Sequence, residues 1–385
     1  MTVSSDLAEQ VVSELAGQRE RMTALLGELV NIDSHTPDSA GVRRVQDHIA
    51  AFLNEAGVET RRIGDDGERA ALLAGTQDAQ GHVLMMGHCD TVFPKGTAAE
   101  RPFRAEGDRA YGPGVADMKP GLVMNAFILE AFAKAGGAPL PLAALFTADE
   151  EIGSPHGRPV IERTANGACA VFNAEPGRAP NSVVKARKGA AFMTLKVTGK
   201  AAHSGMEPEK GASAIGELAD KITRLHALAD LAAGITVNVG VIGGGTTVNT
   251  VAPHAFGRID VRFPDAQAME RILSAVQAVI SEVKVPGCTL ELVTDGQFLP
   301  FEDTAGNRAL FEVYADASHS LGYPVKSIAS GGSADSGFTS ALGVPTICST
   351  GPVGANPHSL DEVCHLDTLV PRAQAVAASI CRMAD

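Results

Sequence analysis

The sequence predicts an α/β protein in two parts. A discontinuous domain, residues 1–187 and 297–385, carries a mostly parallel sheet flanked by helices, and an α+β sandwich, residues 188–296, is inserted into it. Three observations lead there. A chain of 385 residues exceeds one ordinary core. Short apolar runs alternate with helical periodicity in both outer segments, the pattern of an open sheet with crossover helices. Between Lys188 and Thr294 the rhythm becomes strand-helix-strand-strand-helix-strand.

Taken in order, Leu7, Val11, Val12 and Leu15, then Met22, Leu25, Leu26 and Leu29, give helical stripes interrupted at Gly17, before a turn-rich stretch from Asp33 to Pro37. A second helical pattern runs from Val42 to Ala56. Strands follow at Val58 to Ile63, Ala70 to Leu73 and Val83 to Met86, the last leading into His88. Residues Asp90 to Met118 read as one long loop. Pro120 opens a helix reaching Ala135, because proline fits a first turn. Apolar runs at 142–146 and 168–172 read as buried strands separated by a helix from His156 to Thr164. In the insertion, strands are expected at 192–197, 235–242 and 255–263 and helices at 208–228 and 266–283. A helix at 307–321, strands at 325–328 and 344–348, and a last helix from Leu369 complete the chain. Lys185, Arg187 and Lys188 read first as a solvated hinge and, as the alternative, as a source of a cation for an acidic side chain.

A formal net charge of -13 argues against a nucleic-acid partner, which calls for a basic face. No apolar run is long enough to span a membrane, and the first residues lack the basic-then-apolar pattern of a secretory signal. The six cysteines are scattered without a C-x-x-C pair, which suits reduced thiols in a cytoplasmic protein.

His88, Asp117, Glu150, Glu151, Glu175 and His358 all fall in loops, most of them just after an apolar strand. Singly each is ordinary: a histidine after a strand is usually a hydrogen-bonded structural residue, and paired glutamates are usually solvated. Together they lie on the carboxyl edge of the expected sheet, where ligands bind in open α/β folds. Two imidazoles and several carboxylates suit Zn²⁺, with Co²⁺ or Mn²⁺ also compatible. Charge favours two ions, since the carboxylates of Asp117, Glu151 and Glu175 with one hydroxide balance a pair of divalent cations. Such a pair, ~3.5–4 Å apart, would activate water and polarise a carbonyl together.

Five stretches carry a family resemblance: Gly87-His88-Cys89-Asp90, Gly114-Val115-Ala116-Asp117-Met118-Lys119-Pro120-Gly121, Thr147-Ala148-Asp149-Glu150-Glu151-Ile152-Gly153, Glu175-Pro176-Gly177 and Pro357-His358-Ser359. In order and spacing they resemble the metal-site motifs of the M20 family of metallopeptidases and amidohydrolases, and within it the glutamate carboxypeptidase branch of carboxypeptidase G type. The resemblance implies that His88 and Glu175 hold one metal, Glu151 and His358 the other, and that Asp117 bridges them. It implies Glu150 as general base, Asp90 as the group orienting His88, and a cis peptide at Asp117-Met118. It also implies a lid and dimerisation role for the insertion, in which His203 reaches the partner's site and stabilises an oxyanion. Asn249, Arg262, Gly332 and Ser333 match its substrate-binding positions, suited to a free α-carboxylate. Ala334 departs from the family pattern, standing where a hydroxyl residue is common beside Asp335.

The expected activity is hydrolysis of an amide or peptide bond in a small peptide or N-acyl amino acid, releasing a C-terminal amino acid, glutamate being the first expectation. An N-acyl amino acid deacylase, a dipeptidase and a carbamoyl-type amidohydrolase are alternatives within the family, and a metal-free scaffold homologue is the alternative from another class. The sequence has no G-x-S-x-G of a serine hydrolase and no H-E-x-x-H of a single-zinc protease.

Overall fold

The structure, a computed structural model, describes residues 3–64, 67, 69–76 and 80–384. The chain divides into two compact units: Met1–Ala186 with Phe301–Ser330 and Ala334–Asp385, and Arg187–Pro300 with Gly331–Ser333.

The first unit begins with helices α1 (Val3–Ala16), α2 (Arg19–Val30) and α3 (Ser39–Glu55), the last capped by the Asp38 carboxylate, which accepts the Gly41 N–H. Strands β1 (Thr60–Ile63), β2 (Ala71–Gly75) and β3 (Val83–His88) follow. The stretch read as one loop contains a helical turn, α4 (Thr97–Glu100), and a hairpin of β4 (Arg104–Glu106) and β5 (Arg109–Tyr111). Then come α5 (Lys119–Lys134), β6 (Leu142–Thr147), α6 (Gly157–Ala165), β7 (Ala170–Asn173) and β8 (Ser182–Arg187).

The second unit contains β9 (Gly189–Thr198), α7 (Ala214–His226), β10 (Thr236–Gly244), β11 (His254–Phe263), α8 (Ala266–Ser281) and β12 (Thr289–Phe298). The first unit resumes with α9 (Ala305–Ser320), β13 (Lys326–Ser330), α10 (Ser336–Ala341), β14 (Thr346–Cys348), β15 (Gly354–Ala355), β16 (Val363–His365) and α11 (Leu369–Arg382).

Among the described residues the main sheet has eight strands in the order β1-β2-β6-β3-β7-β14-β8-β13. Its centre, β6, β3, β7 and β14, is parallel, while β1, β2 and β8 pair antiparallel. The central strands are buried along their whole length, so they read as continuous apolar runs rather than alternating ones. Helix α5 packs on β3 and β6 and against α2, α3 and α11, with Leu122, Val123, Phe127 and Ile128 in the core. Gly121 makes that seat possible: a Cβ there would lie 2.1 Å from the Ala174 carbonyl oxygen. A small antiparallel sheet has the order β15-β16-β5-β4.

The second unit is an antiparallel sheet in the order β10-β11-β9-β12 with α7 and α8 packed on it. Ala191, Met193, Leu195 and Val197 alternate inward along β9 and meet Leu218, Leu225, Ile272 and Val276 from the helices. Within this layer Lys221 and Glu217 form a fully buried ion pair at 2.8 Å. Glu217 also accepts the N–H groups of Lys284 and Val285, and Lys221 donates to the Glu282 carbonyl.

The solvated-hinge reading of 185–188 needs correction. Lys185 pairs with Asp303 at 3.0 Å. Arg187 is buried and donates to the Gly332 and Ser333 carbonyls, and Lys188 donates to that of Gly234. Cations placed among backbone acceptors bury more readily than their charge alone suggests. Among the described residues, no helix is long and apolar enough to cross a membrane.

Candidate metal centre

Two parallel strands finish level and a third stops two residues short of them. His88, the last residue of β3, is in register with Thr147 of β6, and Met86 with Asn173 of β7. Whatever follows each strand therefore emerges on one edge. That edge receives His88 itself, Glu150 and Glu151 from a 3₁₀ turn after β6, and Glu175 after β7. Asp117 comes from the turn before α5, and His358, in a left-handed conformation at φ 63°, from the loop before β16. The Asp117-Met118 peptide is cis. Gly87 leaves room for Met118, whose sulfur receives the His88 N–H at 3.3 Å.

The His88 ring is buried. Its Nδ1 faces the Asp90 carbonyl at 3.0 Å and the Asp90 carboxylate at 3.3 Å, both acceptors, so an Nδ1–H is held toward Asp90. Nε2 then faces three carboxylates: Asp117 Oδ1 at 3.2 Å, Glu175 Oε1 at 3.7 Å and Glu150 Oε2 at 3.8 Å. Asp117 turns its second oxygen to His358 Nε2 at 3.4 Å, and His358 lies 3.2 Å from Glu151 Oε2. Two overlapping groups of potential ligand atoms result, His88 with Asp117 and Glu151, and His88 with Glu150 and Glu175.

Packing this much negative charge in a buried edge displaces the protonation equilibria. Burial, reinforced by Glu175, Asp335 and Glu151 against the opposing pull of His88, holds the Glu150 carboxyl well above its ordinary range. Burial and the charge of Asp117 outweigh the His358 hydrogen bond and push Glu151 up to about 7. Hydrogen bonds to Asp117 and Glu151 raise His358 to about 10. Burial disfavours charge on His88, but Glu150, Asp117 and Asp90 more than compensate and hold it well above its ordinary value.

This donor set fits divalent cations. Two imidazoles and the carboxylates converge without a thiolate, and Glu151 Oε1 is buried with no hydrogen-bond partner among the described residues. Cys89, between His88 and Asp90, is buried in the core and pushed up to about 12 by burial and by Asp90, so it stays a thiol.

Several supports of the site were not legible in the sequence. Asp90, expected to orient His88, also accepts the N–H groups of Glu150 and Glu151 and the Thr36 hydroxyl. Asp149 accepts the N–H groups of His156 and Gly157 at the start of α6. Glu362, fully buried, accepts three backbone N–H groups of the turn leading to Asp117. Its signal was an acidic residue four places after His358 and directly before a strand. Asp335 accepts the Ser154 hydroxyl, and burial pushes it up to about 7. The neighbouring Ala334 packs with Val184, Phe301 and Cys348.

The other candidate residues lie in the second unit. His203 is exposed, and its Nδ1 accepts the N–H groups of Gly205 (3.1 Å) and Met206 (3.2 Å), which leaves the proton on Nε2. His203 bridges to Thr250, and the Ser204 N–H donates to the Asn249 carbonyl, so His203 and Asn249 share one patch. Arg262 is stacked on Phe192, held by Asp260 at 2.7 Å and donates to the Ser333 hydroxyl at 3.1 Å. Gly332 and Ser333 are tied beside it through Arg187, and the Ser333 hydroxyl donates to the Lys188 carbonyl.

Residues 84–382 match the family described as Peptidase family M20/M25/M40. Carboxypeptidase G2 of Pseudomonas sp. (strain RS-16) is 29% identical over 371 residues, which cover 92% of this chain and 87% of that protein. Acetylornithine deacetylase of Klebsiella pneumoniae (strain 342) is 31% identical over a shorter stretch, 56% of this chain and 59% of that one. Among solved structures, an M20 family metallo-carboxypeptidase of Sulfolobus solfataricus superposes with a TM-score of 0.77 at 19% identity, covering 94% of this chain and 98% of that one. A di-peptidase of Saccharomyces cerevisiae gives 0.73 at 16% identity, covering 98% of each. At these identities the two structures speak for the fold.

Proposed function

The chain belongs to peptidase family M20/M25/M40, a hydrolase of amide or peptide bonds, and from that premise we propose a dinuclear metallohydrolase that releases a C-terminal amino acid, glutamate first, from a small peptide or N-acyl amino acid. The observation that carries the reading is Asp117, whose two oxygens face two different imidazoles, His88 at 3.2 Å and His358 at 3.4 Å. That is the arrangement a carboxylate shared by two cations needs.

His88 and Glu175 would hold one ion and Glu151 and His358 the other, Zn²⁺ being the first expectation. When bound, the ions supply Lewis acidity toward the scissile carbonyl and lower the pKa of water. The remaining work falls to side chains. Glu150, its backbone N–H pinned by Asp90, takes a proton from the attacking water and returns it to the leaving nitrogen. With cations bound beside it, the Glu150 carboxylate would stay ionised and so be free to take that proton. His203 offers an Nε2–H to the carbonyl oxygen as it gains charge.

Arg262, with Ser333 and the Gly332 backbone beside it, would receive the substrate α-carboxylate. His203 would serve the partner protomer in a homodimer formed through the second unit. Support comes from β10, an edge strand whose Val241 and Ile242 are 51% and 62% exposed. A cytoplasmic location is supported by the six cysteines, which form no disulfide among the described residues and of which five are buried.

The partial likeness to acetylornithine deacetylase makes N-acyl amino acid deacylation the second reading. A hydrolysis screen over N-peptidyl and N-acyl amino acids, varying only the C-terminal residue, separates the two. Fastest turnover of peptidyl-glutamates is the expected result. Turnover confined to N-acetyl amino acids selects the deacylase, and no turnover of either series by metal-loaded protein overturns both.

A further inference from the structure

Strands β5 and β16 pair antiparallel with Val363 opposite Tyr111. The chain leaving β5 runs directly into the 112–117 turn that ends at Asp117, and the chain entering β16 comes directly from His358. Glu362 stands where these two segments meet. Its side chain is fully buried; Oε1 accepts the N–H groups of Ala116 and Asp117, each at 2.8 Å, and Oε2 that of Gly114 at 3.1 Å.

A turn this tight leaves its N–H groups without secondary-structure partners, and buried donors must be satisfied. A carboxylate, with two oxygens and a charge, takes three at once, and charge-assisted bonds of this kind are the strong ones. The last of the three belongs to Asp117, and the residue that supplies the acceptor is four places from His358. One side chain therefore fixes the distance between two residues that come from segments about 240 positions apart in the chain.

We propose that Glu362 is a positioning residue that locks the bridging carboxylate of Asp117 to His358 and so sets the affinity for the ion held by His358 and Glu151. The proposal rests on the dinuclear reading. His88 and Glu175 are carried on β3 and after β7, outside the reach of this staple, so the effect falls unequally on the two ions.

The test is titration of metal-free full-length protein with Zn²⁺ against a chromophoric chelator, for wild type, Glu362→Gln and Glu362→Ala, with the thermal midpoint of each metal-free protein recorded. Wild type is expected to take up two equivalents. Both variants should keep the first and bind the second about 10- to 100-fold more weakly, as loss of a residue supporting a ligand typically does. Glu362→Gln, isosteric and able to keep one oxygen toward Ala116 and Asp117, should give the smaller loss and decides the matter if Glu362→Ala does not fold. Two equivalents bound by Glu362→Gln as tightly as by wild type would overturn the proposal, and so would parallel weakening of both. A wild-type chain that takes up fewer than two equivalents overturns the dinuclear reading itself.

Discussion

The Asp90 carboxylate accepts the backbone N–H of Glu150 at 3.1 Å, so the group that orients His88 also anchors the turn carrying the proposed base. Its second oxygen takes the N–H of Glu151 at 3.2 Å and the Thr36 hydroxyl at 2.8 Å. Replacing Asp90 by Asn turns one acceptor into a donor facing other donors. The expected result is a 10- to 100-fold loss of metal affinity together with a comparable loss of kcat/KM, measured by chelator competition and steady-state kinetics.

Glu150→Gln removes the proton carrier while keeping the shape of the side chain. Both metals should remain by elemental analysis, and kcat should fall by about 10²- to 10⁴-fold. Turnover near the wild-type level would reassign the base.

His203→Ala should lower kcat by about 10²- to 10³-fold with metal content unchanged. In mixed dimers of His203→Ala with Glu150→Gln, one site has both groups intact if His203 serves the partner. About half of wild-type activity is then expected, and none if it serves its own chain.

Arg262→Lys keeps the charge but loses the planar fork that meets a carboxylate with two bonds. KM for substrates with a free α-carboxylate should rise about tenfold or more with kcat less affected. The amidated counterparts, already poor substrates, should change little. An equal effect on both sets would remove Arg262 from carboxylate recognition.

The buried pair Glu217–Lys221 predicts the acid and alkaline limits of the second unit. Burial opposes both charges, but the pairing and the backbone donors hold Glu217 below its ordinary 4.5 and Lys221 above its ordinary 10.5. The Glu217 contribution is present above 4.5 and lost as pH falls through the lower folded value. The Lys221 contribution is present below 10.5 and lost as pH rises through the higher one. Glu217→Gln removes the nearer of the two carboxylates that face the Lys221 ammonium, leaving Asp220 at 3.0 Å, and should destabilise by about 1.5–3 kcal/mol, the worth of a hydrogen bond between charged groups. The Glu217→Gln, Lys221→Met double variant should show a flatter dependence of thermal midpoint on pH at both ends than wild type.

The parallel core was legible because strands buried on both faces are unbroken apolar runs, as in Leu142–Thr147, and because acidic residues follow them. The hairpin of Arg104–Glu106 and Arg109–Tyr111 was not, since three-residue strands with polar outward faces carry no periodicity. Strand Ser182–Arg187 was missed for a related reason: its charged end hid a buried segment. Ligand residues announced themselves by type, whereas Glu362 and Thr36 act on backbone or on another carboxylate, with partners 245 and 54 positions away that no local pattern identifies. Arg187 shows the converse, a charged residue whose burial depends on carbonyls supplied by Gly332 and Ser333.

The fixed register of β3, β6 and β7 sets the tolerance of the centre to insertions. One added residue in β6 would carry Glu150 and Glu151 forward by about 3.3 Å, more than a metal–ligand bond, and would also turn the strand over. A length change inside one of these strands would therefore displace the ligands that follow it. A connection that enters a strand from its far end, such as residues 135–141 between α5 and β6, can change length without the ligands moving.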